Sequence, residues 1–283
     1  MARKKKQGIL GKLFNGIAWL VSSVLRGLFN LAKWLVLSFY SLLAGAGKKA
    51  GEARKQAARP AVQPEFASLN QLNSKNGSLE EFEQKVYSPK STIGLVLGAR
   101  GSGKSALGMR FLENISAKKT RKVYAMGFNP SALPKWVYCT NELDAIPNGA
   151  FVLVDEGGIA FSSRSAMSNA NKLLSSLILV ARHKDISVLF ISQNSSNLEI
   201  NAIRQADYLL LRKPSLLQMD FERKKISDIY KKIAPDFEKL PQKGKHATFV
   251  YSDEFEGFAA NQLPSFWSQK ASKSFSGYVA KQG

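Results

Sequence analysis

Short unbroken apolar runs alternate with amphipathic stretches through the middle of this chain. Thr92–Leu97, Lys122–Phe128, Trp136–Thr140, Phe151–Val154, Ser187–Gln193 and Tyr208–Leu211 are rich in Val, Ile, Leu, Phe and Tyr. Runs of that length bounded by turn residues predict buried strands. After the first run, Ala106, Leu107, Met109, Phe111, Leu112 and Ile115 recur at helical spacing. A polar stretch of small residues, 162–171, leads into a second predicted helix, Leu173–His183. Strands alternating with helices predict an α/β fold with a mainly parallel sheet flanked by helices. Farther on, His246–Tyr251 and Glu256–Phe258 read as a closing hairpin, and Leu263–Trp267 ends the domain.

The first 47 residues follow another pattern. Arg3, Lys4, Lys5 and Lys6 precede an apolar stretch from Ile9 to Ala46. On a helical wheel Lys12, Asn15, Ser22, Ser23, Arg26, Asn30 and Lys33 fall within an arc of roughly 100°, and apolar residues cover the rest. A wide apolar face with a narrow cationic stripe suits the interface of an anionic membrane. The charge-free runs Leu13–Leu25 and Trp34–Gly47 are shorter than the roughly 20 residues that span hydrocarbon. Snorkelling of Arg26 and Lys33 would still permit a span. A helix for a protein partner and a cleaved signal ending at Ala44-Gly45-Ala46 are the other readings. The stretch is long for a signal and contains three cations, which favours membrane association.

Residues 48–88 change character again. Gly47-Lys48-Lys49, Arg59-Pro60 and Gln63-Pro64 suggest a polar tether. Ser78 and Glu81 then have the spacing of a capping box, so a short helix to about Val86 is expected. Three segments follow: 1–47, membrane-associating; 48–88, linker and short helix; 89–283, the globular domain.

Composition sharpens the picture. The chain has 283 residues, 45% of them hydrophobic, enough for one substantial core. It carries 41 Lys and Arg against 21 Asp and Glu, a formal +20. Such a field attracts nucleic acid or acidic lipid, but it names neither. The single Cys139 excludes an internal disulfide framework and a Cys-rich zinc module, and its apolar run predicts a buried thiol.

The chemistry lies where the first strand ends. Gly98-Ala99-Arg100-Gly101-Ser102-Gly103-Lys104-Ser105 fits G-x-x-x-x-G-K-[ST] without mismatch, between a predicted strand and a helix that opens at Ala106. Its glycines let successive backbone N–H groups point at phosphate oxygens, and the helix N-terminus adds positive potential. Gly98 through Ala106 are therefore the candidate nucleotide contacts. Lys104 would reach the β- and γ-phosphates of ATP, and Ser105 would supply a hydroxyl to Mg²⁺. The run Phe151–Val154 ends in Asp155 and Glu156. In a parallel sheet that end faces the ligand crevice, so Asp155 can hold the Mg²⁺ shell and Glu156 can polarise an attacking water. Gln193 ends its strand in the same way and can contact the γ-phosphate or that water. A solvated acidic turn and a plain surface glutamine are the bland alternatives. His183 and His246 have no metal-binding company and read as non-catalytic.

The order of these pieces resembles the FtsK/HerA superfamily of P-loop ATPases, with a RecA-like sheet. It looks most like the genome-packaging ATPases of membrane-containing viruses and phages, and is related to the zonula occludens toxin family. The resemblance spans roughly residues 90–215 and rests on Gly98–Ser105, Val152–Glu156, Ala181–Gln193 and Ile203–Asp207. It implies that Gln193 senses the γ-phosphate and that Arg182 acts in trans on a neighbouring subunit's ATP. It further implies a ring of copies, with six as one candidate number, and capsid or vertex proteins as partners. The expected cargo is nucleic acid, double-stranded DNA foremost, gripped by pore loops and basic patches such as Arg212-Lys213 or Arg223-Lys224-Lys225. The expected location is a virion or host-cell membrane, with the ATPase domain on the cytoplasmic side.

Three activities compete. The first is a genome-packaging translocase. The second is a membrane-bound extrusion ATPase of the zonula occludens toxin type, a family that usually places its spanning helix after the ATPase domain. Here the apolar segment comes first. The third is a P-loop kinase, for which no arginine-rich lid is evident after Gln193. A nucleotide-binding structural protein is the remaining class.

Overall fold

The computed structural model describes residues 59–156, 166–244 and 246–268, together with Lys33, Trp34 and Leu37. Apart from those three, the expected membrane segment, 1–47, lies outside the described residues, as does 162–165 of the polar stretch. No helix among the described residues is long and apolar enough to cross a membrane. The chain divides into two compact units, Met1–Ala58 and Arg59–Gly283.

The second unit is built on nine strands. These are β1 (Asn70–Gly77), β2 (Ile93–Leu97), β3 (Val123–Met126), β4 (Val137–Cys139), β5 (Phe151–Asp155), β6 (Ser187–Ile191), β7 (Tyr208–Arg212), β8 (Ala247–Ser252) and β9 (Phe255–Ala260). They lie in the order β1-β9-β8-β7-β2-β6-β5-β3-β4. From β7 to β4 every pairing is parallel. The hairpin β8–β9 continues the sheet antiparallel, and β1 closes that edge. This is the mainly parallel α/β sheet expected. Strand β6 stands between β2 and β5, so the Gln193 strand separates the phosphate-loop strand from the acidic one.

The helices are α1 (Leu79–Tyr87), α2 (Lys104–Ala117), α3 (Ala166–His183), α4 (Ile200–Arg204), α5 (Leu216–Phe221) and α6 (Lys224–Lys239). Alternate strand residues serve opposite faces, as the pleat requires. Leu95, Leu97, Val152, Val154, Val188 and Phe190 pack with Leu174, Leu177 and Ile178 of α3 and with Tyr230, Ile233 and Phe237 of α6. Val96, Leu153, Leu189, Ile191 and Leu210 pack with Phe82 and Val86 of α1 and with Leu107, Phe111, Leu112 and Ile115 of α2. Both faces of the central strands are thus covered, which is why those strands read as continuous apolar runs.

The N-terminal limit of the domain differs from the expected boundary at residue 89. Within the supposed linker, β1 pairs with β9 from Asn70↔Ala260 to Gly77↔Phe255. Before it, the Arg59 guanidinium is buried and donates to the carbonyls of Leu133, Pro134 and Val137. The polar composition concealed this because β1 is an edge strand with irregular register, held by backbone pairing. The short helix is present as α1, and Ser78 Oγ accepts from Glu81 N. The capping box is half made, since Ser78 N donates to Glu254 O of the β8–β9 turn at 2.8 Å.

Two buried arginines tie the layers together. Arg121 donates to the carbonyls of Gly149, Ala150 and Asp185 and to Ser187 Oγ, closing the amino edge of the sheet. Arg110 of α2 forms a buried ion pair with Glu113, 3.0 Å apart. Arg110 also donates to the carbonyls of Glu65, Gln262 and Leu263. Glu113 in turn accepts from Ser265 N and Glu65 N. The segments before β1 and after β9 are thereby clamped to α2.

Truncating one partner of a buried pair strands the other's charge, a loss of about 3–5 kcal/mol. Arg110→Ala should lower unfolding free energy by that order, read from urea denaturation of the full chain. A loss below about 1 kcal/mol would show that the clamp is dispensable.

Candidate active site

The loop between β2 and α2 begins where the sheet ends. Gly98, Gly101 and Gly103 have φ of +147°, +75° and +86°. Two of these glycines are required by a neighbour as well as by the turn. A Cβ on Gly98 would stand 2.6 Å from Arg212 Cβ, and one on Gly103 would stand 2.8 Å from Arg212 Nη2. Gly103 is the N-cap of α2 and supplies no side chain, so the first-turn amides point at the crevice without a side-chain acceptor. That is the geometry of an anion site.

Lys104 is buried and folds back on its own loop. Its Nζ donates to Gly98 O at 2.7 Å and Ala99 O at 2.9 Å. Burial pushes its pKa down to about 8, with Asp155 opposing the shift. Ser105 Oγ donates to Asp155 Oδ2 at 3.1 Å, so the first helical turn meets the tip of β5. A hydroxyl beside a carboxylate is a hard-oxygen pair that suits Mg²⁺ with phosphate oxygens and waters completing the shell. Glu156 follows at once. Burial raises its carboxyl above the usual range, while the Ser192 hydroxyl, which donates to it, works the other way.

Gln193 stands two residues beyond the end of β6, exposed, on the wall of the same crevice. Its carbonyl accepts from Gln218 Nε2 of α5 at 2.6 Å. Loop, β5 tip and β6 tip thus converge on one cavity of about 610 Å³. Arg182 does not join them. It lies exposed in the last turn of α3, which leads to the amino end of β6, whereas the cavity lies at the carboxyl end. Five strand residues separate the two edges, about 16 Å. Arg182 makes no ion pair among the described residues, with Asp185 or any other acid. Its guanidinium is outside the reach of its own subunit's cavity.

Arg212 was expected on an exposed basic patch; it is instead 4% exposed. It ends β7, the strand beside β2, so its side chain enters the crevice from the flank opposite Asp155. Its Nε donates to Ser102 O at 2.7 Å, and its Nη1 donates to His246 O at 2.9 Å and Thr248 Oγ1 at 3.0 Å. No carboxylate pairs with it among the described residues, and burial pushes its pKa down to about 10. The sequence signal was available: an arginine closing an apolar strand, Tyr208–Arg212, at the ligand edge of a parallel sheet. Of the other basic residues, Lys213 pairs with Glu238 at 2.6 Å. Arg223 donates to the carbonyls of Ser195 and Leu198, whereas Lys224 and Lys225 are exposed. His246, Asn261, Leu263 and Trp267 also line the cavity, and sequence reasoning gave none of them a role there. Cys139 is half-buried, with its thiol pushed up to about 11 by burial, so it stays protonated.

No protein-family model matches the chain, and no curated protein does. Solved structures do resemble it. The DNA-packaging ATPase of Sulfolobus turreted icosahedral virus is 13% identical, with a TM-score of 0.42, over 62% of this chain and 99% of that one. The conjugation coupling protein TcpA of pCW3, with ATPγS, is 13% identical with a TM-score of 0.45, over 66% and 65%. The cytoplasmic domain of the type VII secretion ATPase EccC of Thermomonospora curvata is 16% identical with a TM-score of 0.38, over 60% and 25%. At such identities and TM-scores these likenesses decide nothing by themselves, and the chain's own loop and strand order carry the assignment. A glycine-rich loop from β2 into α2, an acidic tip on β5 and an intervening β6 ending at Gln193 give this chain the fold of a P-loop NTPase.

Proposed function

We propose that the chain is a Mg²⁺-dependent ATPase that couples hydrolysis to movement of nucleic acid, with packaging of a viral genome as its task. The observation that carries the ATPase reading is the convergence of Lys104, Ser105, Asp155 and Gln193 on one cavity, with Glu156 next to Asp155 and hydrogen-bonded by Ser192 of the cavity wall. Loop amides and Lys104 would bind the β- and γ-phosphates. Ser105 and Asp155 would hold Mg²⁺, which neutralises developing charge on the phosphates. Glu156 would orient the attacking water, and Gln193 would contact the γ-phosphate. The formal +20 and the exposed Lys224 and Lys225 support a polyanionic cargo.

The direct test is ATP turnover with and without double-stranded DNA. The full chain should hydrolyse ATP faster with DNA. Glu156→Gln should retain ATP binding and lose turnover, because the amide keeps the shape and loses the base. Near-normal steady-state turnover in that variant would remove Glu156 from the mechanism. Turnover indifferent to DNA would set aside the translocase reading and leave the ATPase.

Lys104 makes ATP binding pH-dependent. Its ammonium is the binding form, and without nucleotide it titrates at about 8. Phosphate contact raises that pKa, so binding above pH 8 takes up a proton. Affinity should be level just below pH 8 and fall toward tenfold per pH unit above it, read by calorimetric titration with ATPγS. A level affinity to about pH 9.5 would show that Lys104 stays charged in the free protein.

Arg182 belongs to a second subunit's site in this proposal. It is exposed, makes no ion pair among the described residues and stands at the far edge of its own sheet, so in this reading it would complete a neighbour's cavity. A trans arginine contributes roughly 10³–10⁵ in rate in known cases. Arg182→Ala and Lys104→Ala proteins, each inactive alone, should regain activity when mixed under subunit exchange. Mixed rings that form without regaining activity would exclude the shared site.

A further inference from the structure

The turn that carries Gln193 is held from outside the sheet. Beyond β6 the backbone leaves the strand ladder, and its polar groups must find other partners. The Gln193 N–H and the Asn197 side chain bond to the Glu156 carboxylate, as the Ser192 hydroxyl does. The Gln193 carbonyl accepts from Gln218 Nε2 of α5 at 2.6 Å. One residue thus has its backbone donor on the acid that follows β5 and its backbone acceptor on α5.

The surroundings of Gln218 fix that contact. Its Nε2 also donates to Glu222 Oε1 at 2.8 Å. Both partners are acceptors, so the amide must present its NH₂ end to them. Glu222 is buried, and its Oε2 accepts from Ser195 N at 2.7 Å and from the Ser195 hydroxyl. Ser196 Oγ donates to Phe221 O at 2.7 Å, and Arg223 Nε donates to Ser195 O at 3.0 Å. Helix α5 and the residues just after it therefore grip the turn at Gln193, Ser195 and Ser196. The helix has little other anchorage: none of its residues is buried, and Leu216, Leu217 and Phe221 are exposed. An element with few buried contacts moves at low cost. A shift of the turn and a shift of α5 would then be one motion.

On the basis of the ATPase reading, we propose that Gln218 is a positioning residue for the reaction, fixing the Gln193 turn so that the Gln193 side chain and Glu156 face the γ-phosphate together. It acts through the Gln193 peptide and not on the nucleotide. Coupling of this kind is reciprocal. A γ-phosphate that engages Gln193 steadies the turn, and through Gln218 it steadies α5. ADP lacks that phosphate and leaves α5 as it is without nucleotide.

The test replaces Gln218 in the full chain and follows ATP turnover with Mg²⁺. Gln218→Met keeps the length of the side chain and loses both donated bonds. Its kcat should fall by about ten- to a hundredfold, the order that a small misplacement of reacting groups costs. KM and ATPγS affinity should stay at wild-type values, because the contact serves the transition state alone. The retained affinity shows that the variant is folded. Gln218→Lys, which again offers a donor to both acceptors, should recover most of the kcat. A second readout is amide hydrogen exchange over residues 214–223. In wild type ATPγS should slow that exchange more than ADP does, and in Gln218→Met the two nucleotides should act alike. Unchanged kcat in Gln218→Met, a matching loss of ATPγS affinity, or no recovery with Gln218→Lys would overturn the positioning role and leave the ATPase reading standing. Equal exchange with both nucleotides in wild type would do the same. A wild-type chain that binds ATPγS and does not turn over ATP would overturn both.

Discussion

Two buried cations held by carbonyl oxygens set the shape of this site. Lys104 lies against Gly98 O and Ala99 O, and Arg212 lies against Ser102 O and His246 O. Among the described residues, neither forms an ion pair with a carboxylate. Carbonyl dipoles satisfy the donors but leave the charge, so the crevice keeps a strong positive potential. Burial pushes both pKa values down, to about 8 and about 10, because the site solvates both cations poorly. A phosphate chain entering between them supplies the charge that the protein withholds. The loop glycines follow from the same constraint, because any Cβ at Gly98 or Gly103 would press on Arg212.

The rest of the domain keeps that loop rigid. Helix α2 carries Lys104 at its start and the Arg110–Glu113 pair farther along. Through that pair it holds the chain before β1 and after β9, near Glu65 and near Ser265. Asn114 adds a two-way exchange with the Ala67 backbone, at 3.0 Å and 2.8 Å. Segments distant in sequence are fixed to the helix that binds phosphate. The domain begins near Arg59 because the P-loop helix needs that segment to cover its polar back face.

What the sequence disclosed and what it hid divide along physical lines. The strands β2, β3, β5, β6 and β7 were legible because both their faces are buried, and continuous apolar runs record that. The loop was legible because phosphate binding restricts each of its positions. Strand β1, Asn70–Gly77, was not, since a polar edge strand leaves no alternation to read. Arg212 was misread because a basic pair looks the same on a surface and at a buried strand end; only the strand order shows which. The C-terminal wall was missed because the fold, and not sequence spacing, brings Leu263 and Trp267 to the cavity that Lys104 lines.

The tip of β6 shows how the chemistry is wired to the surface. Ser192 donates to Glu156, and Asn194 N donates to Ser192 Oγ at 3.2 Å. Gln218 of α5 donates to Gln193 O and to Glu222 Oε1, and Glu222 accepts from Ser195 N at 2.7 Å. Every residue from Ser192 to Ser195 thus makes a polar contact with the acidic strand end, with α5 or within the turn. Helix α5 presents Leu216, Leu217 and Phe221 to solvent. The Gln218 side chain joins that helix directly to the cavity wall at Gln193. The strand that separates the phosphate loop from the acids therefore also links the cavity wall to an apolar surface, through Gln193 and Gln218. A sheet with β2 and β5 adjacent would have placed neither Gln193 nor this link at the cavity.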